Sequence, residues 1–564
     1  MKKLLFTLML LSSFALQAQN FTYNRFFNGG DNSAITLGEL AKEVIVQPDG
    51  KVISCGYSYD FACNCFHIVM FRVDVCGNID STFGTNGTVS YTFEDRNTGL
   101  DFLMQANGKI VVVGTQAPSN ASSQHNPYIA RFLNNGQPDT TFGTMGTTKV
   151  IVNPACWEFT HVTEVADGKY LAQNGNYIMR FDSTGAVDLS FGNSGVINYT
   201  IPSNVPLVSS WRSVQRSSDK KIISVTAAWL GSGNDMRPLF MCTDTLGQLD
   251  STFGTNGFLL DNNVILPNYQ SCHIVLQNDD KILSAHHNAA ETEITVARYN
   301  TNGSLDTTYG TNGYVNYTAP TSPFRARDVN ILSNNNLLVM ADAAGLDRQI
   351  NTIDTNGVMT NSFTFYGNHL YNLSGSSVPL VLHVENDDEI YIVSQTGGTS
   401  GMWYISSLTT TPAPTISQNF TSLSANYNLT STTYQWYLNG NIINGATDST
   451  YTFTQNGVYS VTVTIASGCD YSYSYTVTNT GIANAANLNN IKVSPNPFND
   501  YINISNTTGQ LTTLTLFDAA GRTVILETTH EPDYKKQLQQ LPKGMYFLTI
   551  ESGSQSKHIK LLKH

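Results

Sequence analysis

Val44-Ile45-Val46-Gln47-Pro48-Asp49-Gly50-Lys51-Val52-Ile53 reads as an apolar run, a polar turn and a second apolar run. The same phrase returns around Ala106-Asn107-Gly108-Lys109, Ala166-Asp167-Gly168-Lys169, Ser218-Asp219-Lys220-Lys221, Asn278-Asp279-Asp280-Lys281, Asn334-Asn335-Asn336-Leu337 and Asn386-Asp387-Asp388-Glu389. The third turn position falls at 50, 108, 168, 220, 280, 336 and 388. Asp, Asn, Gly and Pro supply the dihedrals and side-chain acceptors that tight turns need, so each phrase is a strand hairpin. A repeat of this length, with strands and no helical periodicity inside it, predicts a closed array of sheet blades.

Each unit holds two further runs. In the first, residues 67–73 lead to Cys76-Gly77, then to Asp80-Ser81-Thr82-Phe83-Gly84 and a fourth run at 88–93. The Asp-to-Gly phrase recurs at Asp139–Gly143, Asp188–Gly192, Asp250–Gly254 and Asp306–Gly310, with Tyr309 in place of Phe in the last. Four strands per unit is the content of a propeller blade. The seventh unit lacks a fourth strand, whereas the run at 21–27 has no partner of its own. The expectation is an all-β, seven-bladed β-propeller over residues 19–410, closed by its N-terminal strand, which removes the open sheet edges. Arg72, Arg131, Arg180 and Arg298 each precede the repeated glycine by five residues, and Asp80, Asp139, Asp188 and Asp306 follow it by three. The sixth unit has Thr352 and Thr360 there, and the fourth has Cys242 with Asp250. A pair that recurs in most units pins its own hairpin.

The Gly-x-x-Asp-x-x-Phe-Gly-x-x-Gly phrase, alternating with Pro-Asp-Gly-Lys, resembles the delta-60 repeat of bacterial secreted proteins. That resemblance implies a propeller-like scaffold without a defined activity. Beyond Pro412 and Pro414, Tyr434–Gly440 and Gly457–Val463 alternate as half-buried strands do, with Trp436 and Tyr459 facing a common core. Residues 411–480 resemble an immunoglobulin-like or PKD-like module, a spacer without an intersheet disulfide, because Cys469 stands alone there. A low-complexity hinge, residues 481–490, leads to the last segment, 491–564. There Val493-Ser494-Pro495-Asn496-Pro497-Phe498, Gly521-Arg522, Gly544-Met545-Tyr546-Phe547 and a closing strand with Lys560 resemble the C-terminal sorting domain of type IX secretion. This resemblance implies a small β-sandwich, recognition by the type IX secretion translocon, and removal by a sortase-like peptidase. The protein is then released or attached to the outer cell surface.

Only 13% of the 564 residues are charged, yet 41% are apolar and the formal charge is −12. Such a chain builds cores, and it lacks the basic stripe that nucleic acid or anionic lipid requires. Residues 1–18, with Lys2 and Lys3 before an apolar stretch and Ala18 at the cut, read as a signal peptide. No later stretch is apolar for the roughly 20 residues of a transmembrane segment. Export makes disulfides the default for the eight cysteines. Cys55, Cys63, Cys65 and Cys76 crowd one repeat, and a disulfide staple there is preferred to zinc because Cys63 and Cys65 are too close in sequence.

No nucleophile elbow, zincin helix, phosphate loop or dinucleotide fingerprint occurs, and no cofactor is expected. His286-His287 is the one adjacent histidine pair. The blade-to-blade loops carry Trp157, Trp211, Tyr269, Phe324, Arg325 and Arg327, with Tyr366 and Tyr371. Aromatics ringing a funnel suit a glycan or protein ligand; the alternative, which is preferred, is that they wedge between blades. The leading function is a noncatalytic secreted or cell-surface binding protein. A hydrolase on the same scaffold, signalled by carboxylates at the funnel floor, and a structural matrix component stand behind it.

Overall fold

The computed structural model describes residues 22–23, 33–36 and most of 40–409, 415–478 and 491–564. Short stretches such as 61–64, 118–124, 152–157, 198–204, 268–271, 319–323, 367–376 and 397–401 lie outside the described residues. So do the leader at 1–18 and the hinge at 481–490. The chain divides into two compact units, Met1–Ala413 with Thr464–Tyr471, and Pro414–Val463 with Ser472–His564. Among the described residues there is no α-helix; every element is a strand apart from one 3-10 turn at Ala166–Gly168.

The first unit is propeller-like. Among the described residues its strands form seven antiparallel sheets, each of four strands or five. The first sheet runs Leu40–Val46, Val52–Asp60, Cys65–Val73 and Thr88–Tyr91, and the next five follow the same order. In the last, Ser377–Asn386, Glu389–Thr396 and Met402–Thr409 are joined by Thr22–Tyr23 and Ser33–Thr36, both antiparallel to Met402–Thr409. In the sixth hairpin Ile331 pairs with Leu337, and the left-handed residue is Asn335 (φ 66°). That residue, rather than Asn336, is the counterpart of Gly50 (φ 80°).

Period-2 alternation explains how the sheets stack. On one strand Val52 packs with Val44, Val69, Phe71, Tyr391 and Ile405, joining the first sheet to the last. Its neighbour Ile53 points the other way, into a cluster with Met70, Phe83, Phe102, Val112 and Phe132 of the second sheet. Clusters of the same kind fill each remaining gap between consecutive sheets. Each buried Val, Leu, Ile or Phe contributes about 1.5–3 kcal/mol through loss of apolar surface to water. The innermost strands likewise touch in succession, and Ser377–Asn386 packs back on Leu40–Val46.

Polar clamps lie above these cores. Asp139 accepts from Arg131 Nε at 2.7 Å and from Lys109 Nζ at 2.8 Å through one oxygen, and from Thr141 N and Oγ1 through the other. The lysine of the turn phrase and the aspartate of the later phrase are thus partners, as are Lys51–Asp80, Lys169–Asp188 and Lys281–Asp306. Arg131 then reaches out of its own sheet, donating from Nη1 to Ser183 O at 2.8 Å and lying 4.5 Å from the Phe142 ring centroid. Gly143 N donates to Thr184 O at 2.7 Å across the same gap. Arg72, Arg180 and Arg298 repeat the bridge, to Asn134 O, Thr245 O and Thr355 O. The fourth sheet, with Cys242 in the arginine's place, borrows Arg216 from its preceding turn, whose Nη1 donates to Thr301 O at 2.7 Å. The pair therefore pins its hairpin and also fastens it to the next sheet.

The second unit holds four sheets. Thr415–Asn419, Ser422–Asn426 and Thr450–Thr452 form one; Asn441–Ile442, Thr433–Leu438, Gly457–Thr464 and Asp470–Val477 form another. Trp436 and Tyr459 are both buried, linked through Tyr451 at 5.9 and 5.7 Å between ring centroids. The last 74 residues form a three-stranded and a four-stranded sheet over a core of Phe498, Ile502, Leu514, Leu516, Tyr546, Leu548 and Leu561.

Candidate functional site

Among the described residues, the aromatic candidates Trp211 and Phe324 are buried between sheets. Trp211 is 3% exposed and packs with Val165, Leu171, Ile222 and Leu239 between the third and fourth sheets. Phe324 is fully buried with Leu283, Ile294 and Val339 between the fifth and sixth. A large ring beside an intersheet gap gains more by leaving water than by lining it, so both are wedges. Arg325 is held by Glu291, Nη2 to Oε2 at 2.7 Å, and Arg327 sits on a bulge between Ala326 and Asp328. Trp157 and Tyr269 lie outside the described residues.

A different set converges on the axis. Glu43, Asp101, His161, Arg212, His273 and Asp328 occupy one register position on the innermost strands of six consecutive sheets, opposite Cys55, Val113, Gln173, Val225, Ala285 and Met340. In the seventh sheet that position, opposite Val393, is Val381. On the first, second and sixth innermost strands a bulge directly precedes the carboxylate. Such a bulge re-aims the side chain that follows it. The sequence did carry a signal: each of the six lies seven residues before its turn's left-handed residue, or eight in the fourth unit.

His161 Nδ1 meets Asp101 Oδ2 at 2.6 Å, and that oxygen also accepts from Val162 N at 2.8 Å. Burial works to raise the Asp101 pKa, but the His161 charge and hydrogen bond, Arg212 and Val162 N outweigh it, so the carboxyl is lowered. Asp328 accepts from Leu382 N at 3.1 Å and Val329 N at 2.9 Å, with His273 Nδ1 3.8 Å away. Burial nevertheless raises it. Glu43 is raised well above its ordinary value, by burial first and then by Asp101 and Asp328, against the pull of Val44 N and Arg212. His273 is driven well below its ordinary value by burial, with Arg212, His286, His287 and Arg327 adding to it. Arg212 favours the ionised form of all three carboxyls.

His286 and His287 are buried in the strand Ile282–His287, where His286 Nε2 meets Ser284 Oγ at 2.8 Å. Among the described residues no three His, Cys, Asp or Glu side chains assemble as a metal set. The cysteines depart from a local staple. Cys55 is a buried free thiol, with Cys242 and Cys272. Cys76 is bonded to Cys469 across 393 residues, so Cys469 is not alone. Cys65 is also disulfide-bonded.

In the tail, Asn496 anchors the Pro495-Asn496-Pro497 turn to the closing strand, its Nδ2 donating to Lys560 O at 2.7 Å and its Oδ1 accepting from Leu562 N at 3.0 Å. Tyr546 is buried and donates to Pro542 O at 2.8 Å; Gly521 takes φ 78° in the turn closed by Asp518, and Gly544 opens the third strand of that sheet.

Residues 492–564 match the family model of the secretion system C-terminal sorting domain. Residues 105–142 and 277–309 match a domain of unknown function (DUF5122) described as a β-propeller. No curated protein matches the chain. Among solved structures, the β-propeller domain of the Trilobed protease from Pyrococcus furiosus is similar at 9% identity and a TM-score of 0.37, covering 67% of this chain and 97% of that one. The Dos1 propeller gives 10% identity and 0.37, over 66% and 94%. The exo-β-1,3-galactanase from Phanerochaete chrysosporium gives 9% and 0.27, over 71% and 93%. The chain is thus a propeller-like protein carrying a type IX sorting tail, which marks export to the extracellular space or the outer cell surface. No described helix is long and apolar enough to cross a membrane.

Proposed function

We propose that this is a noncatalytic secreted or surface-attached binding protein whose ligand is held at the propeller axis. The observation that carries the reading is the set of six ionisable side chains at one register around one centre. Buried polar groups that do not satisfy one another fully are where a concave site gains specificity. The scaffold is a seven-bladed ring of delta-60 repeats in which the N-terminal strand completes the last blade. The cluster joining Val52 to Tyr391 and Ile405 supports that closure. Residues 411–480 form an immunoglobulin-like or PKD-like spacer, and residues 491–564 are removed after export by a sortase-like peptidase. The test is a screen of the exported full chain against glycans, polysaccharides and protein fractions. Saturable binding that Arg212→Gln weakens without altering the thermal midpoint supports the reading; binding indifferent to that change refutes it.

A hydrolase is the second reading, favoured by one observation. Glu43 and Asp101 stand on adjacent innermost strands, the first pushed toward its protonated form and the second toward its ionised form. An acid and a base made from two like groups need such a split. Product formation in the same screen, abolished by Glu43→Gln, decides for it.

A further inference from the structure

Two members of the axial ring stand apart from the others. Asp101 is engaged by His161 and Val162 N, and Asp328 by two backbone N–H groups. The Arg212 side chain, by contrast, makes no hydrogen bond or ion pair with any described residue, and the Glu43 carboxyl accepts only from its own neighbour, Val44 N, at 3.0 Å. They lie on the first and fourth of the seven sheets, which is as far apart around such a ring as two positions can be. One offers only donors; the other offers acceptors, and a donor as well when protonated.

We infer that the axial ring binds a neutral glycan, an uncharged hydroxyl-rich ring held by hydrogen bonds between Glu43 and Arg212. This rests on the axial reading above and names its ligand class. A hydroxyl both donates and accepts, so one sugar ring can satisfy both groups. A net charge on the ligand is disfavoured in either sign. An anion drawn to Arg212 meets the ionised Asp101; a cation drawn to Asp101 meets Arg212, whose field already reaches it. Trp211 and Phe324, buried in the intersheet cores, offer it no stacking face.

The experiment is titration calorimetry of the full exported chain with neutral mono- and disaccharides of glucose, galactose and mannose. Glucuronate and glucosamine serve as the anionic and cationic isosteres. The expected result is saturable binding of a neutral sugar, with each charged isostere weaker by about tenfold or more. Affinity should change little between about 0.05 and 0.5 M salt, since no net charge is captured. Arg212→Gln and Glu43→Gln should each weaken binding about tenfold, and Arg212→Lys should restore part of it. Near-ultraviolet dichroism of each variant confirms that the fold is intact. Tighter, salt-sensitive binding of a charged isostere that still depends on Arg212 overturns the neutral-glycan inference and leaves the axial site standing. Sugar binding unchanged in both variants overturns the inference and the axial reading together; no binding by any probe overturns the inference alone.

Discussion

Arg131→Ala tests the idea that the repeated arginine fastens one sheet to the next. The side chain is nearly buried and holds four partners: Asp139 at 2.7 Å, Ser183 O at 2.8 Å, the Tyr170 hydroxyl at 3.5 Å and the face of Phe142 at 4.5 Å. Removing one member of a buried ion pair costs about 3–5 kcal/mol when the other charge is left alone. Asp139 keeps Lys109 at 2.8 Å, so this loss falls toward the lower end. Ser183 O loses a charged donor, about 1.5 kcal/mol or more, and the ring contact adds about 0.5–1 kcal/mol. The terms share one side chain and do not add fully, so the expected cost is about 3–4 kcal/mol. The sensitive reporter is the Gly143 amide, which donates to Thr184 O across the same gap at 2.7 Å. Its hydrogen exchange should accelerate by about 100-fold, while amides of the fifth sheet stay protected. Thr352→Ala, at the same place in the sixth sheet, should cost less than about 1 kcal/mol. An Arg131→Ala cost below about 1 kcal/mol, or a Gly143 amide that exchanges as before, would refute the clamp.

Further outcomes follow from the same geometry. In the fourth sheet Arg216→Ala should loosen the contact to Thr301 O as Arg131→Ala loosens its own, read as faster exchange of the Gly254 amide, which donates to Asn302 O. Burial raises Asp250 and Asp306, but hydrogen bonds from the turn lysines and from Thr252 or Thr308 dominate and hold both near about 2. Their contribution to stability is present above the unfolded value of about 4 and is lost as pH falls toward 2; an acid titration of stability flat across that window contradicts it. Burial pushes the Cys242 and Cys272 thiols up to about 12, so neither, nor buried Cys55, should react with a thiol reagent before denaturation. Cys469→Ser should leave an extra reactive thiol at Cys76 and speed proteolysis near residues 464–471; unchanged cleavage there argues against a tether.

Much of the architecture was legible because it is written locally. The turn at Pro48-Asp49-Gly50 and its relatives specify hairpins through the φ values that Gly, Asn and Asp accept, and alternation of apolar residues specifies two-faced strands. The Arg–Asp spacing was likewise readable as a hairpin pin, since both partners lie eight residues apart on one hairpin. The tail was readable because its landmarks are contiguous, and Asn496 shows why they travel together, bonding to the strand that ends the chain. The candidate site was hardly legible. Trp211 and Phe324 attracted attention as aromatics in variable loops, yet their neighbours come from sheets that no local pattern names.

What the sequence determined by itself is the repeat, its strand content, the arginine-to-aspartate pairing within most units, and the export tail. Tertiary structure alone decided that Arg216 stands in where Cys242 replaced the arginine, and that Cys76 joins Cys469 and not a nearby cysteine. It alone brought Glu43, Asp101, His161, Arg212, His273 and Asp328 to one centre. The physical reason is range. Turn dihedrals and alternation act over a few residues, whereas the axial ring arises from packing successive sheets around an axis, which unites residues up to 285 positions apart.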